Sequence, residues 1–259
     1  MTNSLRALVF DFDGTIAETE RNGHRVAYNS AFRELRLDWF WDESLYGHLL
    51  SVAGGKERLR FFIDRYGPLV PAGTHEATLI EAIYAAKSCH FRTIAPTVPL
   101  RPGVQRLVSE AHAAGLRIAI ATTGSEAGVR SLLHGNAAVA PMFEIIAGSE
   151  SVPRKKPDPA VYRWVLERLE LPAESCLAIE DSSVGLRAAV AAGLPTVVTV
   201  SDYTAHDDFQ SAASVLTQLG DDASPAKTLA GFRLEAGIAD VAFLRNVHRR
   251  WLESGPSQH

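Results

Sequence analysis

Two aspartates one residue apart, Asp11 and Asp13, end the apolar run "ALVF" and are followed at once by Gly14 and Thr15. If that run is a strand, both carboxylates leave one face and Phe12 leaves the other. Two unit charges about 4 Å apart repel by about 4 kcal/mol at an effective dielectric near 20. A fold tolerates such a pair when a cation or a shared proton sits between them. Three more polar clusters occupy comparable places. Thr122, Thr123, Gly124 and Ser125 follow "RIAIA"; Lys155 and Lys156 stand in "PRKKPDP" ahead of a helix start; Glu180, Asp181 and Ser182 close "CLAIEDS". Singly, each reads as a turn, a helix cap or a charged loop. Their recurrence at separate strand ends makes chance a poor explanation.

Brought together, these groups define a narrow chemistry. Asp11, Asp13 and Asp181 offer hard oxygen ligands with no His or Cys at ligand spacing, which favours Mg²⁺ over zinc. Magnesium keeps waters and shares its shell with phosphate. A lysine and hydroxyls at Gly-containing turns hold the remaining phosphoryl oxygens as donors. One aspartate beside the phosphorus can attack it and form an aspartyl-phosphate. The other can protonate the leaving oxygen and later deprotonate water.

The elements that must position these groups follow from the apolar pattern. "ALVF" (7–10), "RIAIA" (117–121), "EIIAG" (144–148), "CLAIE" (176–180) and "PTVVTV" (195–200) are short and lack strict alternation, as strands buried on both faces do. From residue 103 onward helical patterns separate them, which implies an α/β fold with a parallel sheet covered by helices. Ligands of such sheets sit beyond the carboxyl ends of the strands, where the four clusters lie. Residues 17–96 carry no comparable strand run and read as a helical insertion after the first strand, its helices joined by the aromatic cluster "DWFWDESLY". The expected division is a core of 1–16 and 97–225, a helical cap of 17–96, and a C-terminal helical tail of 226–259.

Composition excludes several classes. The 259 residues are 46% hydrophobic and 22% charged, with a net charge of −4 and no long basic run, so a nucleic-acid partner is not expected. No run reaches the length of a membrane span, and the first strand begins too early for a leader peptide. Cys89 and Cys176 lie far apart in unlike contexts and read as free thiols, which points to a cytoplasmic protein. A monomer or small homo-oligomer is expected.

The four clusters resemble the motifs of the haloacid-dehalogenase phosphohydrolase superfamily: "DFDGT" (11–15), "IATTGS" (120–125), "KKPDP" (155–159) and "IEDSSVG" (179–185). The resemblance implies a Rossmann-like parallel core with a helical cap after the first strand. It implies Asp11 as nucleophile, and Asp13 as general acid/base with its backbone carbonyl on the metal. Thr122 would bind the transferring phosphoryl group beside Thr123 and Gly124, and Lys156 would neutralise it, with Lys155 as the alternative. Asp181 would ligate Mg²⁺, and Glu180 would be a ligand or stand just behind one.

The cap carries its own signals. Glu20 and His24 stand at i and i+4, on one helix face near the site mouth. Gly23 interrupts that helix at a cost of about 1 kcal/mol. "VAGGKERL" (52–59) is a Gly-Gly turn entering a helix, so the amides at Gly54 and Gly55 with Lys56 and Arg58 form an anion site, predicting a second phosphate or acidic group. These stretches, with "LRPGV", "AIATT" and "GLPTVVTVSDYTAHDDFQSA", resemble the CbbY-like sugar-bisphosphate phosphatases. That branch implies a ketopentose bisphosphate such as xylulose 1,5-bisphosphate as substrate. The competing readings are a β-phosphoglucomutase-like sugar phosphomutase and a catalytically silent binding protein on the same fold; the presence of both Asp11 and Asp13 argues against the latter.

Overall fold

The computed structural model describes residues 4–52, 54–71 and 73–254. All five apolar runs form strands: β1 (Ala7–Phe10), β2 (Arg117–Ala121), β3 (Ile145–Ala147), β4 (Cys176–Glu180) and β5 (Thr196–Thr199). Two more strands, β6 (Ser214–Leu216) and β7 (Thr228–Gly231), complete one sheet in the order β3-β2-β1-β4-β5-β6-β7. Every pairing is parallel except the last, β6 with β7. Ala7 lies opposite both Arg117 and Cys176, so β1, β2 and β4 end level with one another.

The three central strands divide their side chains by size. Leu8, Phe10, Ile118, Ile120, Leu177 and Ile179 face one core, and Ala7, Val9, Ala119, Ala121, Cys176 and Ala178 face the other. Helices α5 (Val104–Ala113) and α6 (Glu126–Gly135) cover the bulky face. Helices α7 (Ala160–Leu169) and α8 (Ser183–Ala191) lie over the alanine-rich face, where small side chains permit close approach. Both faces are thus dry, which is why these strands read as continuous apolar runs rather than alternating ones.

Between β1 and α5 the chain forms a wide turn of π-helix, Glu20–His24, then α1 (Arg25–Glu34), α2 (Glu43–Leu49), α3 (Gly55–Tyr66) and α4 (Glu76–Ile94). The cluster expected to join these helices does so: Trp41 is fully buried against Tyr28, Phe32, Tyr46 and Phe62. Asn29 fixes it by bonding both the N–H and the C=O of Trp41 at 2.8 Å. The two linkers meet where Ala17 bridges Leu100 in antiparallel fashion. Phe91 and Ala27 belong to the main core, which roots the insertion on the sheet.

The segment 226–259 departs from the helical tail expected of it. Thr228–Gly231 joins the sheet as β7, and α9 (Val241–Ser254) buries Leu244, Val247 and Trp251 in the core. β6 and β7 have three and four residues, too few for a periodicity, and β7 is a largely exposed edge strand whose apolar content is low. Residues 1–3 and 255–259 of the expected segments lie outside the described residues. Among the described residues no helix is long and apolar enough to cross a membrane. Both cysteines are free, Cys89 exposed and Cys176 buried.

Candidate active site

The floor of the site is built at the level ends of β1, β2 and β4. Lys156, preceding α7, is buried, and its ammonium donates to Asp11 Oδ1 at 2.7 Å, Glu180 Oε1 at 2.6 Å and the carbonyl of Ala121 at 2.8 Å. Three acceptors match the three protons of an ammonium. Burial works against that charge, but Asp11 and Glu180 outweigh it and hold the Lys156 pKa above its ordinary value. Lys155, the alternative in sequence, instead reaches Glu57 of the cap at 3.1 Å. Glu180 has no exposure and also accepts from Tyr162 at 2.6 Å, so its position is fixed from behind by α7. Tyr162 carries no sequence signal beyond its place on the buried face of a helix.

Asp11, Glu180 and Asp181 each offer an oxygen within 4.8 Å of the others. Three carboxylates against one ammonium leave an excess of negative charge. Burial, partly offset by Lys156 and reinforced by Glu180 and Asp13, pushes the Asp11 carboxyl up to about 7. Burial, Asp11 and Glu180 raise Asp181 well above the usual range. A hard divalent cation among these oxygens would remove that penalty, and an all-oxygen donor set suits Mg²⁺. Gly14 explains its own identity here. Its φ is +87°, and a Cβ there would fall 2.1 Å from Asp181 Oδ2, so only glycine lets the turn pass beneath the acidic cluster.

Asp13 points away from that cluster, toward the cap. Its Oδ1 accepts from Thr19 Oγ1 at 2.5 Å and from His24 Nε2 at 3.0 Å. Burial alone would raise its pKa, but His24 and Thr19, with the more distant charge of Lys87, outweigh it and hold the carboxyl at about 2. The His24 ring stacks on Phe91 at 3.9 Å between centroids. Gly23 makes that stacking possible: a Cβ on it would meet the Phe91 ring at 2.8 Å. The glycine that looked costly in a helix is therefore required where the wide turn crosses α4. Thr122, at the end of β2, is buried and its Oγ1 accepts from the Gly124 amide at 2.9 Å. Thr123 and Gly124 face the cleft, Gly124 directly opposite Asp13.

Two connected cavities share Asp13, Glu20, Gly54, Arg58 and Thr123. The first holds the floor, with Asp11, Lys156 and Asp181. The second rises into the cap past His24, Gly55 and Lys87. Glu20 accepts a hydrogen bond from the Tyr46 hydroxyl, which in turn accepts from Arg58 Nη1 at 3.1 Å. The α3 start at Gly54 and Gly55 lines the second cavity as expected.

Lys56 corrects the sequence expectation. Its ammonium is half-exposed and paired with Glu81 at 2.6 Å, and it does not line either cavity. The reason is helical geometry: the first turn of α3 turns Arg58 inward and Lys56 toward α4. Beside Arg58, the cap cavity is lined by a lysine overlooked in sequence, Lys87. It is 8% exposed, sits over the rings of Tyr28, Tyr84 and Phe91 at 5.1–5.8 Å, and has no hydrogen-bonded partner among the described residues. Burial lowers its pKa to about 8 against the pull of Glu20 and Asp13. The signal was present in the spacing. Leu79, Ile80, Ile83, Lys87 and Phe91 recur at helical intervals, which puts a lysine on the apolar stripe of α4.

Comparison with known proteins agrees with this geometry. The family model of the haloacid dehalogenase-like hydrolases matches residues 5–193. Protein CbbY of Cupriavidus necator is 49% identical over 225 residues, 85% of this chain and 88% of its own. A crystal structure of a CbbY variant from Rhodobacter sphaeroides in complex with xylulose 1,5-bisphosphate is 40% identical with a TM-score of 0.76, covering 85% of this chain and 98% of that one. A β-phosphoglucomutase from Clostridium difficile, 16% identical with a TM-score of 0.71 over 96% of this chain and 99% of that one, shares the fold. The chain belongs to the haloacid dehalogenase-like hydrolases and is a phosphoric monoester hydrolase of that family.

Proposed function

We propose that the protein is a Mg²⁺-dependent phosphatase of a small sugar phosphate, specifically a ketopentose bisphosphate such as xylulose 1,5-bisphosphate. The observation that carries this reading is the placement of Lys87 and Arg58, with the α3 start, across one cleft from Asp11. A substrate with phosphates at both ends meets a nucleophile at one and cationic partners at the other. The relative crystallised with xylulose 1,5-bisphosphate supports the same choice.

Asp11 attacks the phosphorus in line with the leaving sugar oxygen and becomes an acyl phosphate. Lys156 compensates the charge of Asp11 and of the phosphoryl oxygens, while the Thr122 hydroxyl, oriented by the Gly124 amide, and the Thr123 amide hold the latter. Asp13, hydrogen-bonded to His24 at 3.0 Å, gives a proton to the leaving oxygen as general acid. The Asp13 carboxylate then takes a proton from water, which attacks the phosphorus and releases phosphate and free Asp11. Asp11, the Asp13 carbonyl and Asp181 would hold Mg²⁺, with Glu180 locking Lys156 beside them; the ion supplies neutralisation of the transferring phosphoryl charge. Glu20 and His24 border the sugar.

The test is phosphate release measured across sugar mono- and bisphosphates with Mg²⁺. One equivalent of phosphate from a ketopentose bisphosphate, with high kcat/KM, is the expected result. Isomerisation of a hexose monophosphate without release would replace this reading with the mutase.

A further inference from the structure

Arg101 occupies the crossing of the two cap linkers, outside both cavities of the cleft. Its side chain is 7% exposed, and Nε pairs with Glu18 Oε1 at 2.9 Å. Nη1 donates to the carbonyl of Gly14 and, at 2.9 Å, to that of Thr199. Nη2 donates to the carbonyls of Val200 at 2.5 Å and Thr217 at 3.2 Å. The Arg101 amide also donates to the Ile16 carbonyl at 2.9 Å. One guanidinium therefore touches the turn after β1, the linker leaving for the cap, and the ends of β5 and β6. Only the five-donor fork of arginine can make this set; a lysine has three protons on one atom.

The contact with Gly14 is the consequential one. Gly14 directly follows Asp13, and its α-carbon faces Asp181 so closely that no Cβ fits between them. The position of this peptide therefore sets the seat on which the acidic cluster is assembled. Glu18, on the same guanidinium, lies two residues before Glu20 and one before Thr19, the partner of Asp13. We infer that Arg101 is a positioning residue that holds the Gly14 peptide under the Asp11–Asp181 cluster and, through Glu18, ties that peptide to the linker steering the cap. Cap attitude and cation seat are then set by one side chain.

The activity readouts rest on the phosphatase reading above; metal binding and hydrogen exchange report on Arg101 whatever the substrate is. Arg101→Lys keeps the charge and loses the fork. It should stay folded by circular dichroism, lose about 10- to 100-fold in kcat as misplaced reacting groups do, and need about tenfold more Mg²⁺ for half-saturation in calorimetry of the substrate-free protein. Amides of residues 14–19 should exchange faster. Glu18→Gln, which leaves the carbonyl contacts in place, should raise KM about three- to tenfold with Mg²⁺ binding unchanged, and it carries the test if Arg101→Lys fails to fold. If kcat, KM and the Mg²⁺ titration stay within about twofold in the folded variants while only Tm falls, Arg101 is a packing residue and the proposal is overturned. An unaltered Mg²⁺ titration in folded Arg101→Lys would overturn the link to Gly14.

Discussion

The floor and the cap of this cleft both bury a lysine, and they treat it in opposite ways. Lys156 is closed on every side: two carboxylates and a carbonyl take its three protons, and Tyr162 backs Glu180. Lys87 is as deeply buried, yet its contacts are with aromatic faces, and among the described residues no acceptor hydrogen-bonds it. A closed network positions and neutralises, whereas an open cation waits for an anion from outside. On the function proposed above, chemistry common to all substrates is assembled in advance on the floor, and selection among them is left to the cap.

That contrast can be broken from either side. Asp11→Asn should lower turnover by about 10⁴-fold or more, the scale at which nucleophile loss acts, with the fold retained by circular dichroism; near-normal activity would end the aspartyl-phosphate route. Lys156→Met leaves Asp11 and Glu180 buried without their cation and should cost about 3–5 kcal/mol of stability, read from urea unfolding, together with most activity. Lys87→Met removes only the waiting charge. It should raise KM for a bisphosphate about 10- to 100-fold, the worth of a charged hydrogen bond of about 1.5–3 kcal/mol, and leave monophosphates within about threefold. The protein's stability should hold or rise, because a buried ammonium with no hydrogen bond among the described residues is costly to keep.

The pH profile sharpens the same point. The Lys87 pKa of about 8 lies below its ordinary value, so the amine carries its charge at neutral pH and loses it as pH climbs through 8. Glu20, Asp13 and Arg58 are the charged groups around it. For a bisphosphate kcat/KM should fall above about 8, since that ratio reports the free enzyme; Lys87→Met should lack this limb. Lys56→Ala is the smallest expected change, within about threefold in KM, because Glu81 already occupies that ammonium.

Legibility in the sequence followed the same division. The five buried strands and the four loop clusters were readable because a dry parallel sheet writes uninterrupted apolar runs, and the reactive residues lie in the loops after four of them. β6 and β7 were not, since three or four residues on the outer sheet leave no period. In the cap, Glu20, His24, Gly54, Gly55 and Arg58 were placed near the cleft by local pattern together with the family resemblance. Lys56 was misdirected and Lys87 missed for one reason: which side of a helix meets the cleft depends on how helices cross, and neighbour spacing does not encode that. Thr19, Tyr46, Tyr162 and Arg101 act through partners distant in sequence, where no local motif announces them.

The wide turn at Glu20–His24 closes through the amide of Arg25 on the carbonyl of Glu20, five residues back rather than four. In an ordinary helix each residue advances the azimuth by about 100°, so tightening this turn by one residue would swing His24 off Asp13. The partner of Asp13 is thus set by the phase of a single helical turn, in which Gly23 leaves room for the Phe91 ring. An insertion or deletion of one residue there would rephase His24 and everything after it in α1, changing the cleft without exchanging any residue that touches the phosphoryl group.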